Sequence, residues 1–218
     1  MTRRLFSAAA KLVPSRAPQV IDFASNISLR REPSATRKLM PLMKIPGMIS
    51  IGTGLPNSKC FPFKRFSFEL NDGTSLSLSP AELSDSLQYS ATPGLTIFLD
   101  QLKDLQVQEH GAAYPVDGMS VAVTTGSQDG LWKAFDTLLN PGDTLLLENP
   151  SYSGVLAYLK PMGLNLVGVD VDGHGLVPES LARRLVELSK SPNRPKVLYT
   201  IPTGQNPSGC STTVARKK

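Results

Sequence analysis

The sequence predicts an α/β fold with a mostly parallel sheet and flanking helices, preceded by an irregular N-terminal arm. Three observations carry this. After residue 93, short apolar runs of strand length alternate with segments of about ten residues whose apolar positions recur at steps of three and four, the pattern of βαβ units. Each distinctive polar cluster in that half follows a strand candidate, and parallel sheets place ligands at the carboxyl ends of their strands. Before residue 93 the prolines are too closely spaced for long periodicity.

Residues 1–21 carry Arg3, Arg4, Lys11 and Arg16 and no acid before Asp22. Leu5, Phe6, Leu12 and Val13, with alanines between, give a short amphipathic pattern. Basic, acid-free and amphipathic is the composition of a mitochondrial transit peptide, and equally of a basic tail on a cytoplasmic enzyme. Both a mitochondrial and a cytoplasmic location therefore stay open. Residues 22–85 read as an arm or small-domain segment. Pro46 to Pro56 reads as a short strand closed by a glycine turn, and Asn71-Asp72-Gly73-Thr74 as a turn.

Residues 86–218 read as the larger domain. Leu95, Phe98, Leu99, Leu102 and Leu105 mark one helix face. Residues 119–123 (MSVAV) are a buried-strand candidate. Ser127 to Leu139 is helical, with Leu131, Trp132, Phe135, Leu138 and Leu139 on one stripe. Strand Thr144–Leu147, helix Tyr152–Leu159, strand Leu164–Val169, helix Pro178–Lys190 and strand Lys196–Ile201 follow.

The chain has 218 residues, a net charge of +5 and two cysteines, Cys60 and Cys210, with no CxxC spacing. That spacing gives no metal pair and no disulfide framework, so no metal site is expected. No apolar run approaches the ~20 residues of a membrane span. The basic residues do not interleave with aromatics, and no helix-turn-helix or zinc-finger spacing occurs, so neither a nucleic-acid nor a membrane partner is expected.

Three strand-end groups hold the chemistry. Gly126 permits a tight turn, after which Ser127 and Gln128 stand at a helix start, where free N–H groups and the dipole favour an anion. Ser127 serves there either in a phosphate cup or as a helix N-cap. Tyr152 follows Asn149-Pro150-Ser151 and serves either to stack on a planar heterocycle or to pack on the core. Asn206-Pro207 is either a surface turn or, with a cis bond, a means of aiming the Asn206 amide across the strand ends.

In order, the chain reads GLPN (54–57), FPF (61–63), LQYSATPG (87–94), TTGSQDG (124–130), NPGD (140–143), ENPSYSG (148–154) and LYTIPTGQNPSG (198–209). This series resembles the class I/II, fold type I aminotransferases that use pyridoxal 5′-phosphate, in their aromatic-amino-acid and 2-aminoadipate, kynurenine aminotransferase-like branch. The resemblance covers residues 22–218. It implies an amino-group transfer from an aromatic amino acid or 2-aminoadipate to a 2-oxo acid, in a homodimer. It implies that Ser127 and Gln128 bind the cofactor phosphate, that Tyr152 stacks on the ring, and that Asn206 bonds the ring's 3′ oxygen. Tyr89 would reach the neighbouring subunit's cofactor, and Arg37 and Gly54 would touch substrate. Ser208 stands where threonine is usual and keeps the hydroxyl. The resemblance puts the cofactor-bonding lysine, the pyridine-nitrogen carboxylate and the substrate-carboxylate arginine after residue 218. No catalytic residue is therefore assigned, and the large domain is expected to be incomplete. The MSVAV strand is expected to lose its partners, and Trp132 and Phe135 part of their cover.

Two functions follow: an aminotransferase, truncated here and inactive alone, or a non-catalytic short product that binds a full-length subunit. A fusion to a DNA-binding domain has no room in residues 1–30. Borohydride reduction of the 218-residue chain mixed with pyridoxal phosphate is expected to leave no adduct on any one lysine. A stoichiometric adduct at a single lysine, located by peptide mass mapping, would overturn that expectation.

Overall fold

The run Thr144-Leu145-Leu146-Leu147-Glu148 has no polar alternation, so it suits only a strand covered on both faces. In the computed structural model it is such a strand, with all five residues buried. The structure describes residues 20–39, 42–43, 45–49, 51–52, 54–111, 119–192 and 194–217. The amphipathic segment expected between residues 5 and 13 lies outside the described residues. Glu32–Thr124 forms one unit, and the residues on either side of it form the other.

Within the Glu32–Thr124 unit, a short helix at Ala35–Leu39 is followed by an antiparallel hairpin, β1 (Ser67–Glu69) and β2 (Ser75–Ser77). Its turn is the predicted one: Gly73 has φ +84°, and the Thr74 N–H donates to Asp72 Oδ1 at 2.9 Å. Helix α1 (Pro80–Leu87) starts on a capping box in which Ser79 and Glu82 exchange side-chain and backbone bonds. Helix α2 (Thr96–His110) matches the predicted helix and ends at Gly111, whose φ of +83° suits a residue without Cβ.

Two expectations fail in this unit. Residues 119–123 form no strand. Val123 donates its N–H to the Pro93 carbonyl at 2.8 Å and keeps its side chain exposed. A strand exists only by its ladder, and no described segment supplies one here. Between Pro46 and Pro56 the described positions are likewise not a strand. Met48 closes a turn onto the Ile45 carbonyl, and Gly47 takes φ +81°.

The other unit holds the sheet. Ser25 is buried, receives the Ser28 N–H at its hydroxyl, and donates that hydroxyl to the Asp136 carbonyl. It thereby ties the single turn Asn26–Leu29 to helix α3 (Ser127–Leu138). Then follow β3 (Thr144–Asn149), α4 (Ser153–Leu159), β4 (Asn165–Asp172), β5 (Gly175–Leu176), α5 (Pro178–Leu188), β6 (Val197–Tyr199) and a last turn of helix, α6 (Val214–Lys217). The strand order is β5-β4-β3-β6. β3 pairs in parallel with β4 and β6, as the alternating pattern predicts, and only the short β5 runs antiparallel. Phe135, Leu139, Leu145, Leu147, Val155, Leu159 and Tyr199 form the core, α3 and α4 closing on the sheet. Phe135 is 3% exposed, against the expectation that it would lose cover; it packs edge-on to Tyr199 and against Tyr158. Trp132 meets that expectation at 55% exposed, its ring 4.9 Å from that of Tyr158.

The amino ends of the strands are fastened by Asp143. Its carboxylate accepts from the Asn140 N–H and from Lys196 Nζ, both at 2.9 Å, and its carbonyl accepts the Asn165 N–H. Partial burial pushes this carboxyl up, but the Asn140 and Lys196 donors outweigh it and hold it below its ordinary value.

At the far edge, Arg216 of α6 pairs with Asp172 and donates to the Gly175 carbonyl, while the Thr212 N–H bonds the Pro202 carbonyl. The segment after β6 is thus stitched to the β4–β5 hairpin. Arg216 lowers the Asp172 carboxyl from 3.8 to about 2. A lowered carboxylate contributes above its ordinary value and is lost as pH falls through its folded one. Amide exchange at Thr212 and Thr213, taken relative to the intrinsic rate at each pH, is expected to rise as pH drops from 3.8 towards about 2. R216A should raise it already at neutral pH; equal exchange in variant and parent would remove the tether.

Candidate functional site

Pro150 directly follows β3, Asn206 lies in the segment after β6, and Gly126 precedes helix α3. Gly126 occupies the N-cap position of α3 with φ +83° and no side-chain cap, so Ser127 is the first helical residue and not its cap. This removes the N-cap reading of Ser127. The first amides of a helix have no intrahelical partners, and here an exposed hydroxyl and an exposed amide side chain, Ser127 and Gln128, stand beside them. The Thr125 N–H donates to Asp129 Oδ2 at 2.9 Å, which fixes the turn that enters the helix.

Gln128 reaches across to the second loop. Its Nε2 donates to the Gly154 carbonyl at 3.1 Å. Tyr152 is the N-cap residue of α4, half-buried, and packs against the core cluster. Its ring lies over Gly154: a Cβ placed on Gly154 would stand 2.5 Å from Tyr152 Cζ and Oη. Gly154 therefore meets both Gln128 and Tyr152, and only a residue without a side chain leaves the ring where it is.

Asn206 follows β6 on an exposed loop, and the Asn206-Pro207 bond is cis, one of the two alternatives raised by the sequence; Asn149-Pro150 is cis as well. Two buried polar side chains join these loops. Glu148, 2% exposed, accepts from Thr200 Oγ1 at 2.6 Å and from the Ile201 N–H at 3.0 Å. Gln205, also 2% exposed, donates Nε2 to the Pro150 carbonyl at 2.7 Å. Burial, with the Glu148 charge nearby, pushes the Tyr199 phenol up.

Ser127, Gln128, Tyr152 and Asn206 thus lie on three neighbouring loops of one unit, linked by Gln128, Gly154 and Gln205. Tyr89, Arg37 and Gly54 belong to the other unit. Tyr89 is 75% exposed, and Arg37 and Gly54 are exposed too. Sequence reasoning misses Glu148, Gly154 and Gln205. Each sits inside a quoted motif, but its role depends on a partner across the sheet. The donor set suits a phosphate at the helix start, an aromatic ring beside Tyr152 and a ring oxygen facing an amide.

No family model matches the chain. It is 40% identical over 209 residues to the mitochondrial kynurenine/alpha-aminoadipate aminotransferase of Bos taurus, which covers 90% of this chain and 49% of that protein. An aromatic amino acid aminotransferase of Schizosaccharomyces pombe is 31% identical, covering 93% of this chain and 48% of its own. The crystal structure of the aminotransferase Aro8 from Candida albicans superposes with a TM-score of 0.81 at 31% identity, over 94% of this chain and 47% of that one. The chain spans about half the length of the curated relatives it matches.

Replacing Gly154 with alanine is expected to move the Tyr152 ring, since the new Cβ would stand 2.5 Å from its Cζ and Oη. Aromatic NMR resonances of Tyr152 should shift; unchanged resonances would contradict the packing described. By sequence and by fold, the chain belongs with the aminotransferases, and it spans about half the length of relatives that are named for kynurenine, alpha-aminoadipate and aromatic amino acids.

Proposed function

We propose that this chain forms the phosphate-and-ring side of a pyridoxal phosphate site, in an enzyme that transfers an amino group from an aromatic amino acid or 2-aminoadipate to a 2-oxo acid. The observation that carries it is the convergence of Ser127, Gln128, Tyr152 and Asn206 on linked loops, in a chain whose relatives are named for those substrates. Pyridoxal phosphate supplies the electron sink that makes a bond at the substrate α-carbon labile.

The protein's part is positional. The α3 start, with the Ser127 hydroxyl and Gln128, holds the phosphate dianion, where backbone N–H groups and the helix dipole favour negative charge. Tyr152 covers one face of the ring and excludes water from it. The Asn206 amide donates to the 3′ oxygen and steadies its charge. Arg37 and Gly54 contact substrate, and Tyr89 serves the site of a second copy in a homodimer. The domain division at residues 21 and 85 belongs to the same reading.

The test is binding of 4′-deoxypyridoxine 5′-phosphate, which has the ring, the oxygen and the phosphate but no aldehyde, so surface lysines cannot capture it. Calorimetry on the 218-residue chain should show one site. S127D should abolish binding through charge repulsion, and S127A should weaken it about tenfold, the effect of one lost charge-assisted hydrogen bond. Binding unaffected by S127D would place the ligand elsewhere; no binding by the parent chain would reject the reading.

A further inference from the structure

Gln205 is a fully buried polar side chain to which the roles above give nothing to do. Burying an amide is costly unless its bonds are made, and here they are made to two different loops. Nε2 donates to the Pro150 carbonyl at 2.7 Å, two residues before Tyr152. Oε1 accepts from the Ser208 N–H at 2.8 Å and from Ser208 Oγ at 2.6 Å, two residues after Asn206. The backbone of Gln205 also closes its own loop: its N–H bonds the Cys210 carbonyl and its carbonyl accepts the Gly209 N–H. Proline has no N–H, so the exposed handle that the Asn149–Tyr152 loop offers at Pro150 is a carbonyl, and only a donor can hold it. Ser208 presents two donors, and only an acceptor can hold those. A glutamine amide has a donor at one end, an acceptor at the other, and the reach found here.

We infer that Gln205 is a positioning residue that fixes the Tyr152 loop against the Asn206 loop, so that ring and amide address one ligand together. This rests on the cofactor-site reading for its functional meaning, but the clamp itself is a property of the protein without ligand.

The variants separate the two ends. Q205E keeps the acceptor for Ser208 and loses the donor to Pro150; Q205M loses both at nearly constant volume. The first readout is ligand-free. Amide exchange at Ser208 should stay near the parent value in Q205E and rise at least about tenfold in Q205M, as expected for an N–H that has lost its acceptor. Tyr152 ring resonances should shift in both variants. On acidification through the titration of the introduced carboxyl, an O–H regains the role of donor, so the Tyr152 resonances of Q205E should return to their parent positions. The second readout is affinity for 4′-deoxypyridoxine 5′-phosphate, taken as the variant-to-parent ratio at each pH. Q205E should bind about tenfold more weakly at neutral pH and recover as pH falls. A general loss of stability would lower the ratio at every pH.

Parent-like Tyr152 resonances in Q205E at a pH above the titration of the introduced carboxyl would overturn the clamp, and so would a ratio that does not vary through that titration. If Q205M does not fold, Q205E alone decides. Should the parent chain bind no ligand, the cofactor reading fails while the resonances still decide the clamp.

Discussion

The arrangement depends on one buried carboxylate. Glu148 ends a run of five buried residues in the central strand, and a charge there costs several kcal/mol unless it is fully bonded. Its two partners are the Thr200 hydroxyl and the Ile201 N–H, both just past the end of β6. The strand that carries the Tyr152 loop is thereby locked to the strand that carries the Asn206 loop, at the end where both loops begin. Ladder bonds alone align Leu145 with Val197 and Leu147 with Tyr199; Glu148, the next residue of β3, extends the link to Thr200 and Ile201, the two residues after Tyr199.

Much of the sheet unit is legible in the amino-acid order alone, because its strands and helices carry their own signals. Leu145–Leu147 is apolar without alternation, and Leu131, Phe135 and Leu138 recur at helical steps around α3. The failures share a cause. Residues 119–123 have the composition of a strand, but composition cannot supply a ladder partner. The β1–β2 hairpin is the opposite case: its turn is legible at Asp72-Gly73, but strands of three exposed residues are too short to show a period.

Of the candidate site, the residues proposed to face a ligand can be read from motifs, whereas residues that face other loops cannot. Ser127, Tyr152 and Asn206 stand out because a serine, an aromatic ring or an amide at a strand end suggests chemistry by itself. Gln205 lies in the same motif as Asn206, and nothing in the one-dimensional order says that its amide turns inward to Pro150 while its neighbour is exposed. Gly154 is similar. Its importance is the absence of a side chain beneath the Tyr152 ring, which a sequence displays only as a common helix-start residue.

Asp143 and Glu148 lie at opposite ends of β3, and each reaches across to β6: the first by way of Lys196, the second by way of Thr200 and Ile201. A strand pair fastened at both ends cannot slide, so the span between the loops that follow is set when the chain folds. A ligand that bridges those loops meets them already spaced. The ordering cost that usually subtracts from affinity has then been met in advance, and more of the contact energy remains to distinguish one ligand from another.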